Sequence, residues 1–194
     1  MCGRFANSET IPTIAARWSA VITDGVASWE PNTDIRPTKQ VPVLLEGNGK
    51  PRRLGLMTWG WHRDFARGGK LINARVEDIQ HKATFAEAIQ KRRCLVPATA
   101  WFEWQRTEGD KARGIKHLLR PEGLETWALA GIWERIGEGA AVVILTTAAH
   151  GSVAAVHDRM PVIVGLEGAA AWMSGGVEEA LTLGIGVNAL PKGA

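Results

Sequence analysis

Short apolar runs of strand length punctuate the chain, and their spacing limits the folds open to it more than any other feature. Val41–Leu45, Leu54–Thr58, Cys94–Trp104, His117–Leu119, Thr126–Ile132, Ala141–Thr147 and Met160–Val164 are such runs. Apolar segments of this kind, bounded by turn-forming residues, read as strands. The first two flank a Gly-Asn-Gly turn and predict a hairpin. Helical signals are fewer. Between Ser8 and Trp18 the residues Ile11, Ile14, Ala15 and Trp18 share one helical face, with Ser8 as N-cap and Pro12 in the first turn, where it is tolerated. Thr84-Phe85-Ala86-Glu87 matches a capping box opening a helix to about Lys91, and another helix is expected near Glu167–Met173. Strands joined mostly by short turns predict the α+β class, with a largely antiparallel sheet or barrel-like β core and a few flanking helices. At 194 residues the simplest organisation is a single domain spanning 1–194.

Composition excludes several function classes. Hydrophobic residues are 45% and charged residues 22%, as in ordinary globular proteins. No stretch approaches the roughly 20 apolar residues that span a bilayer, and the N-terminus lacks a signal-peptide pattern, so cytoplasmic residence without a membrane partner is expected. Cys2 and Cys94 do not make a disulfide framework, and Cys94 opens an apolar run that predicts buried packing. With no Cys/His cluster and no HExxH helix, neither a metal site nor a cofactor is expected.

The start of the chain, Met1-Cys2-Gly3-Arg4-Phe5, carries the chemistry. Removal of Met1 would leave Cys2 with a free α-amine and a thiol on adjacent carbons. Their reference pKa values, about 7.7–8.0 and about 8.5, give both an accessible nucleophilic form near neutral pH without large tuning. Such a 1,2-aminothiol condenses with an aldehyde and closes to a thiazolidine ring. A mid-chain cysteine cannot, because its nitrogen is an amide.

Charge is placed unevenly. Lys50 to Arg93 holds eleven Lys/Arg against four Asp/Glu, whereas the net charge of the whole chain is only +3. Such asymmetry suggests a basic face for a polyanion, and a solvated face accounts for it nearly as well. Within that stretch Trp59 and Trp61 flank Gly60, and aromatics among cations suit single-stranded nucleic acid. Nine Trp without a single Tyr also point inward, and at least one of this pair is expected in the core. Three polar residues stand in apolar surroundings: Asn73, Glu103 between aromatics in Trp101-Phe102-Glu103-Trp104, and His157. Desolvation should raise the pKa of Glu103, and a carboxyl with a histidine makes an acid/base pair. Each also has a structural reading: a turn former, a partner for a buried arginine, a satisfied core histidine.

Met1–Phe5, Ile72-Asn73-Ala74-Arg75-Val76-Glu77, Trp101-Phe102-Glu103-Trp104 and His157-Asp158-Arg159-Met160-Pro161 occur in the order and approximate spacing of one family. The chain resembles the SRAP family, SOS response-associated peptidases and abasic site processing proteins, over about residues 1 to 173. Pro37-Thr38 and Thr58-Trp59-Gly60-Trp61 resemble two further family segments. The resemblance implies capture of abasic-site aldehydes in single-stranded DNA as a thiazolidine crosslink at Cys2, with Met1 removed, autocatalytically in the peptidase reading. It further implies that Glu103 shuttles protons, that His157 acts as general acid, and that Asn73 orients Cys2 and substrate. Arg4 and Arg75 would bind phosphates, with Trp59 and Trp61 near the bases and Arg36 and Arg159 adding cations. A monomer acting at the nucleoid is the expected form.

The chain departs from that pattern in two places. Asp34 and Arg36 stand where the family often has Asn and Ala, and the end after about residue 173 is shorter, with Val187-Asn188 as the remnant of a further strand. Two other readings remain open. One is an N-terminal-nucleophile amidohydrolase like class II glutamine amidotransferases, which needs oxyanion donors. The other is a single-stranded DNA-binding module with an inert Cys2.

Overall fold

The computed structural model describes residues 2–47, 50–105, 114–183 and 189–191. Alternate residues of the central strands enter two different apolar clusters. Val41, Val43, Val142 and Ile144 belong to one, and Leu44, Ala141, Val143 and Leu145 to the other. Side chains alternate across a strand, so a sheet covered on both faces needs apolar residues at every position. The continuous runs in the sequence have this cause.

Among the described residues that sheet has nine strands. Its main path runs Arg159–Pro161, Gly139–Ala148, Trp127–Ile136, Arg93–Pro97, Gln40–Gly47, Lys50–Trp59 and Val21–Ile22, with Ile163–Gly165 and Asn73–Arg75 attached. The pairing is antiparallel apart from three short parallel contacts. One of these brings Thr58 and Trp59 back against Ala141 and Val142. The sheet thus curls onto itself through two residues rather than forming a regular barrel. The helices Ile11–Trp18, Ala83–Lys91 and Ala169–Ser174 contribute to the cluster on one face. Against the other lies an antiparallel five-stranded sheet, in the order Ala189–Pro191, Ile115–Pro121, Ala100–Gln105, Phe5–Asn7, Asn32–Ile35. Phe5, Ile35, Trp101 and Leu119 are its inward side chains.

The predicted hairpin forms with Val41 opposite Met57, and the α+β, largely antiparallel class is observed. Asn48 and Gly49 of its turn, like Val187-Asn188, lie outside the described residues. The run Cys94–Trp104 is two strands rather than one. Arg93–Pro97 lies in the large sheet and Ala100–Gln105 in the small one, so the chain changes sheets after Pro97, which lacks the N–H to continue a ladder. Met160–Val164 is likewise divided at Val162. The first helix is capped by Thr10, whose hydroxyl accepts the Thr13 N–H, and Ser8 instead bonds Thr99. The second begins at Ala83 with no side-chain cap, and Glu87 pairs with Arg92 at 3.0 Å instead of reaching back.

Past the third helix, Val177–Leu183 is helical and Ala189–Pro191 pairs with Leu119–Pro121. No helix among the described residues is long and apolar enough to cross a membrane.

Candidate active site

Strand alternation decides where the polar residues of the aromatic segment point. Phe102 joins Ala6 and Ala100 on the outer face of the small sheet, with Trp104 packed against them, whereas Trp101 faces the core. Glu103 follows Trp101 inward and is buried. The sequence neighbours Phe102 and Trp104 therefore do not enclose it, because they project from the opposite face. Burial still pushes its carboxyl up to about 7, opposed chiefly by the positive charge of the chain terminus.

Cys2 is fully buried in the same cluster as Trp101. Asn73, brought alongside Ile144 by a short parallel pairing, donates its side-chain amide to the Cys2 carbonyl at 2.8 Å. Its Oδ1 is buried with no partner among the described residues. Burial pushes the Cys2 thiol up, and the nearby Glu103 charge adds to the effect. This corrects the expectation of an untuned thiol: Cys2 is held as S–H and needs a base to react.

An open groove of about 900 Å³ is lined by Gly3, Arg4, Arg75, Glu103, Trp104 and His157, with Arg36, Pro37, Val156, Asp158 and Arg159 completing it. His157 follows the short 3-10 turn Gly151–Ala155 and donates its backbone N–H to Val153 at 3.0 Å. Its Nδ1 lies 2.9 Å from the Arg159 N–H and 2.8 Å from Asp158 Oδ1. Neutral Nδ1 accepts the amide hydrogen, whereas protonated Nδ1 donates to the carboxylate. The imidazole thus has a defined partner in either state.

The DNA-contact candidates divide sharply. Arg4 and Arg36 both pair with Asp34, and these bonds hold the Asp34 carboxyl down to about 2. Arg75 is exposed in the groove without an ion-pair partner among the described residues. Arg159 is committed to structure: it forks onto Glu77 at 2.6 and 2.9 Å and donates to the Thr146 carbonyl at 2.7 Å. That pairing holds the Glu77 carboxyl down to about 2.

Trp59 and Trp61 cannot stack on bases as placed, because both rings are buried and their indole N–H groups donate to the carbonyls of Ile72 and Ala141. Gly60 between them has φ 118°, a conformation that favours glycine, and the bend sends the two indoles into different clusters. The basic stretch disperses as well. Among the described residues of that stretch, Arg75 is the one cation that lines the groove.

Sequence reasoning missed Gln105, Glu77 and the pairing role of Asp34. Gln105 donates to the Ala155 carbonyl at 3.0 Å and bonds His117 Nε2 at the same distance, tying the turn before His157 to the strand of Glu103. Its position two residues after Glu103 was the available signal. Among the described residues no group of three or more His, Cys, Asp or Glu could hold a metal ion.

Buried Cys2, its carbonyl held by the Asn73 amide, thus lies near a carboxyl of raised pKa that lines one groove with the His157 imidazole, on a β-rich α+β scaffold. The family model for SOS response associated peptidase (SRAP) matches residues 1–186, and the chain belongs to that family. Abasic site processing protein YedK of Escherichia coli is 31% identical over 181 residues, covering 89% of this chain and 79% of that protein. Abasic site processing protein YoqW of Bacillus subtilis is 28% identical over 183 residues, covering 90% and 80%. A crystal structure of a Bacteroides thetaiotaomicron protein superposes with a TM-score of 0.80 at 21% identity, covering 98% of this chain and 91% of that one, which extends the likeness of fold.

Proposed function

We propose that this protein processes abasic sites in single-stranded DNA by covalent capture at Cys2. The observation that carries the reading is the convergence of residues far apart in sequence. Asn73 holds the Cys2 carbonyl, Glu103 is close enough to shift the Cys2 thiol, and Glu103 and His157 line one groove. Hydrolytic loss of Met1 exposes the α-amine. That amine attacks C1 of the ring-opened sugar, and loss of water gives an imine. The thiol then adds across C=N, so that an S–C bond forms and the thiol proton ends on the ring nitrogen.

Each group has a task in this sequence. Glu103, titrating near neutrality, carries protons between thiol, amine and leaving water. His157 supplies a proton to the sugar ring oxygen as it opens. Asn73 fixes the Cys2 backbone so that amine and thiol present together. Arg75 offers the unpaired cation for a flanking phosphate. The binding-module alternative loses its main support, since the two indoles it needs are buried.

The test is intact mass together with a denaturing gel of the protein mixed with single-stranded DNA bearing one abasic site. A heat-stable adduct for wild type, absent for Cys2→Ala and for undamaged DNA, with Met1 missing from the mass, is expected. A mature Cys2 that forms no adduct refutes the proposal.

A further inference from the structure

The groove neutralises most of its own cations. Among the described residues four arginines line it, Arg4, Arg36, Arg75 and Arg159, and three of these are already paired with carboxylates. The pairing at Asp34 has the geometry of a bound anion. Its Oδ1 accepts from Arg4 Nε and its Oδ2 from Arg36 Nη2, so one carboxylate bridges two guanidinium groups, as two oxygens of a phosphate would. The Arg4 guanidinium is fixed from behind, 5.8 Å from the Phe102 ring centre and 5.9 Å from that of Trp104. A DNA phosphate reaching Arg4 therefore competes with the carboxylate for its Nε–H and meets a charge already partly neutralised, since the guanidinium itself is braced. Arg159 is closed off in the same way by Glu77, which also accepts the Ala148 N–H.

We propose that Asp34 is a specificity-determining residue that occupies Arg4 and Arg36 in place of phosphate and so weakens binding to undamaged single strands. The inference rests on the DNA reading given above. Affinity for single-stranded DNA falls with salt by a log–log slope of about 0.7 per phosphate neutralised. With Arg75 as the one unpaired groove arginine among the described residues, the wild-type slope is shallow. Retention of damaged DNA then comes from the chemistry at Cys2 rather than from charge, which favours strands carrying an aldehyde. Releasing Arg4 and Arg36 makes the groove a general anion binder.

The experiment compares full-length wild type, Asp34→Asn and Asp34→Ala by fluorescence anisotropy with undamaged oligo-dT between about 50 and about 200 mM salt. Abasic-strand capture by the same preparations is followed on gels. Both variants are expected to bind oligo-dT more tightly, with slopes steeper by about 0.7 per arginine released. Their affinity should then fall about 3- to 7-fold more than that of wild type across that range. Their preference for abasic over undamaged strands should fall accordingly. Unchanged slope and affinity in the variants, with wild-type capture intact, overturn the role of Asp34 and leave the DNA reading standing. A wild type that neither binds oligo-dT nor captures the abasic strand overturns both.

Discussion

Replacing Glu103 by glutamine should stabilise the protein at neutral and alkaline pH while slowing its chemistry. The carboxyl is buried, and its pKa rises from 4.5 to about 7 on folding, chiefly through desolvation. Between those values the folded state holds a proton that the unfolded chain has lost. The native state binds more protons, so stability falls as pH rises from about 4.5 to about 7 and is level outside that window. At about 1.4 kcal/mol per pH unit, ionisation of this one group costs about 3 kcal/mol by pH 8. Glu103→Gln keeps the shape and has no charge to bury. Urea unfolding of both proteins at several pH values between about 5 and about 8 isolates the effect, because every other titrating group is common to the two. The variant should be more stable by about 2–3 kcal/mol at pH 8, with the gap closing toward pH 5. Aldehyde capture should slow in the same variant, with DNA affinity nearly intact. A stability gap that does not change with pH would falsify the assignment of Glu103 as a desolvated carboxyl.

Cys2→Ser keeps the amine and loses the ring-closing sulfur, so a reversible imine adduct is expected, visible on a gel only after borohydride reduction. An irreversible adduct without reduction contradicts the thiazolidine step. Trp61→Ala removes a fully buried indole and should lower unfolding free energy by about 3–5 kcal/mol. A stable variant with selectively weakened DNA binding would restore Trp61 to the interface. Thr38 is a β-branched residue at φ 79°, beside Pro37 of the groove wall, and such strain costs about 1–3 kcal/mol. Thr38→Gly should relieve the φ penalty, offset by glycine's greater freedom in the unfolded chain, giving a gain of about 1 kcal/mol or less in thermal unfolding. A clear loss would show that the threonine side chain outweighs its backbone.

Local physics made part of this protein legible in its sequence. The hairpin of Val41–Leu45 and Leu54–Thr58 and the buried face of the first helix follow from periodicity, which depends on near neighbours alone. The nucleophilic potential of Cys2 is covalent and needs no fold. The motifs around Asn73, Glu103 and His157 were recognisable as a set. Their meeting at one groove depends on pairings across some 70 to 150 residues of chain, such as the Asn73 to Cys2 bond, which no local pattern encodes.

The same limit explains the misreadings. Trp59 and Trp61 are compatible in sequence with stacking on bases as well as with the core expected of at least one of them, and the turn at Gly60 and the contact with Ala141 and Val142 bury both. Glu103 looked enclosed by its flanking aromatics, yet the pleat sends Phe102 and Trp104 to the far face. Arg36 and Arg159 are expected from the resemblance to add cations for DNA, and the fold pairs them with Asp34 and Glu77. Residue type and spacing set what each side chain can do, while tertiary packing decided its solvation and its neighbours. Charge, pKa and exposure depend on those surroundings, so the active state of the site is a property of the fold.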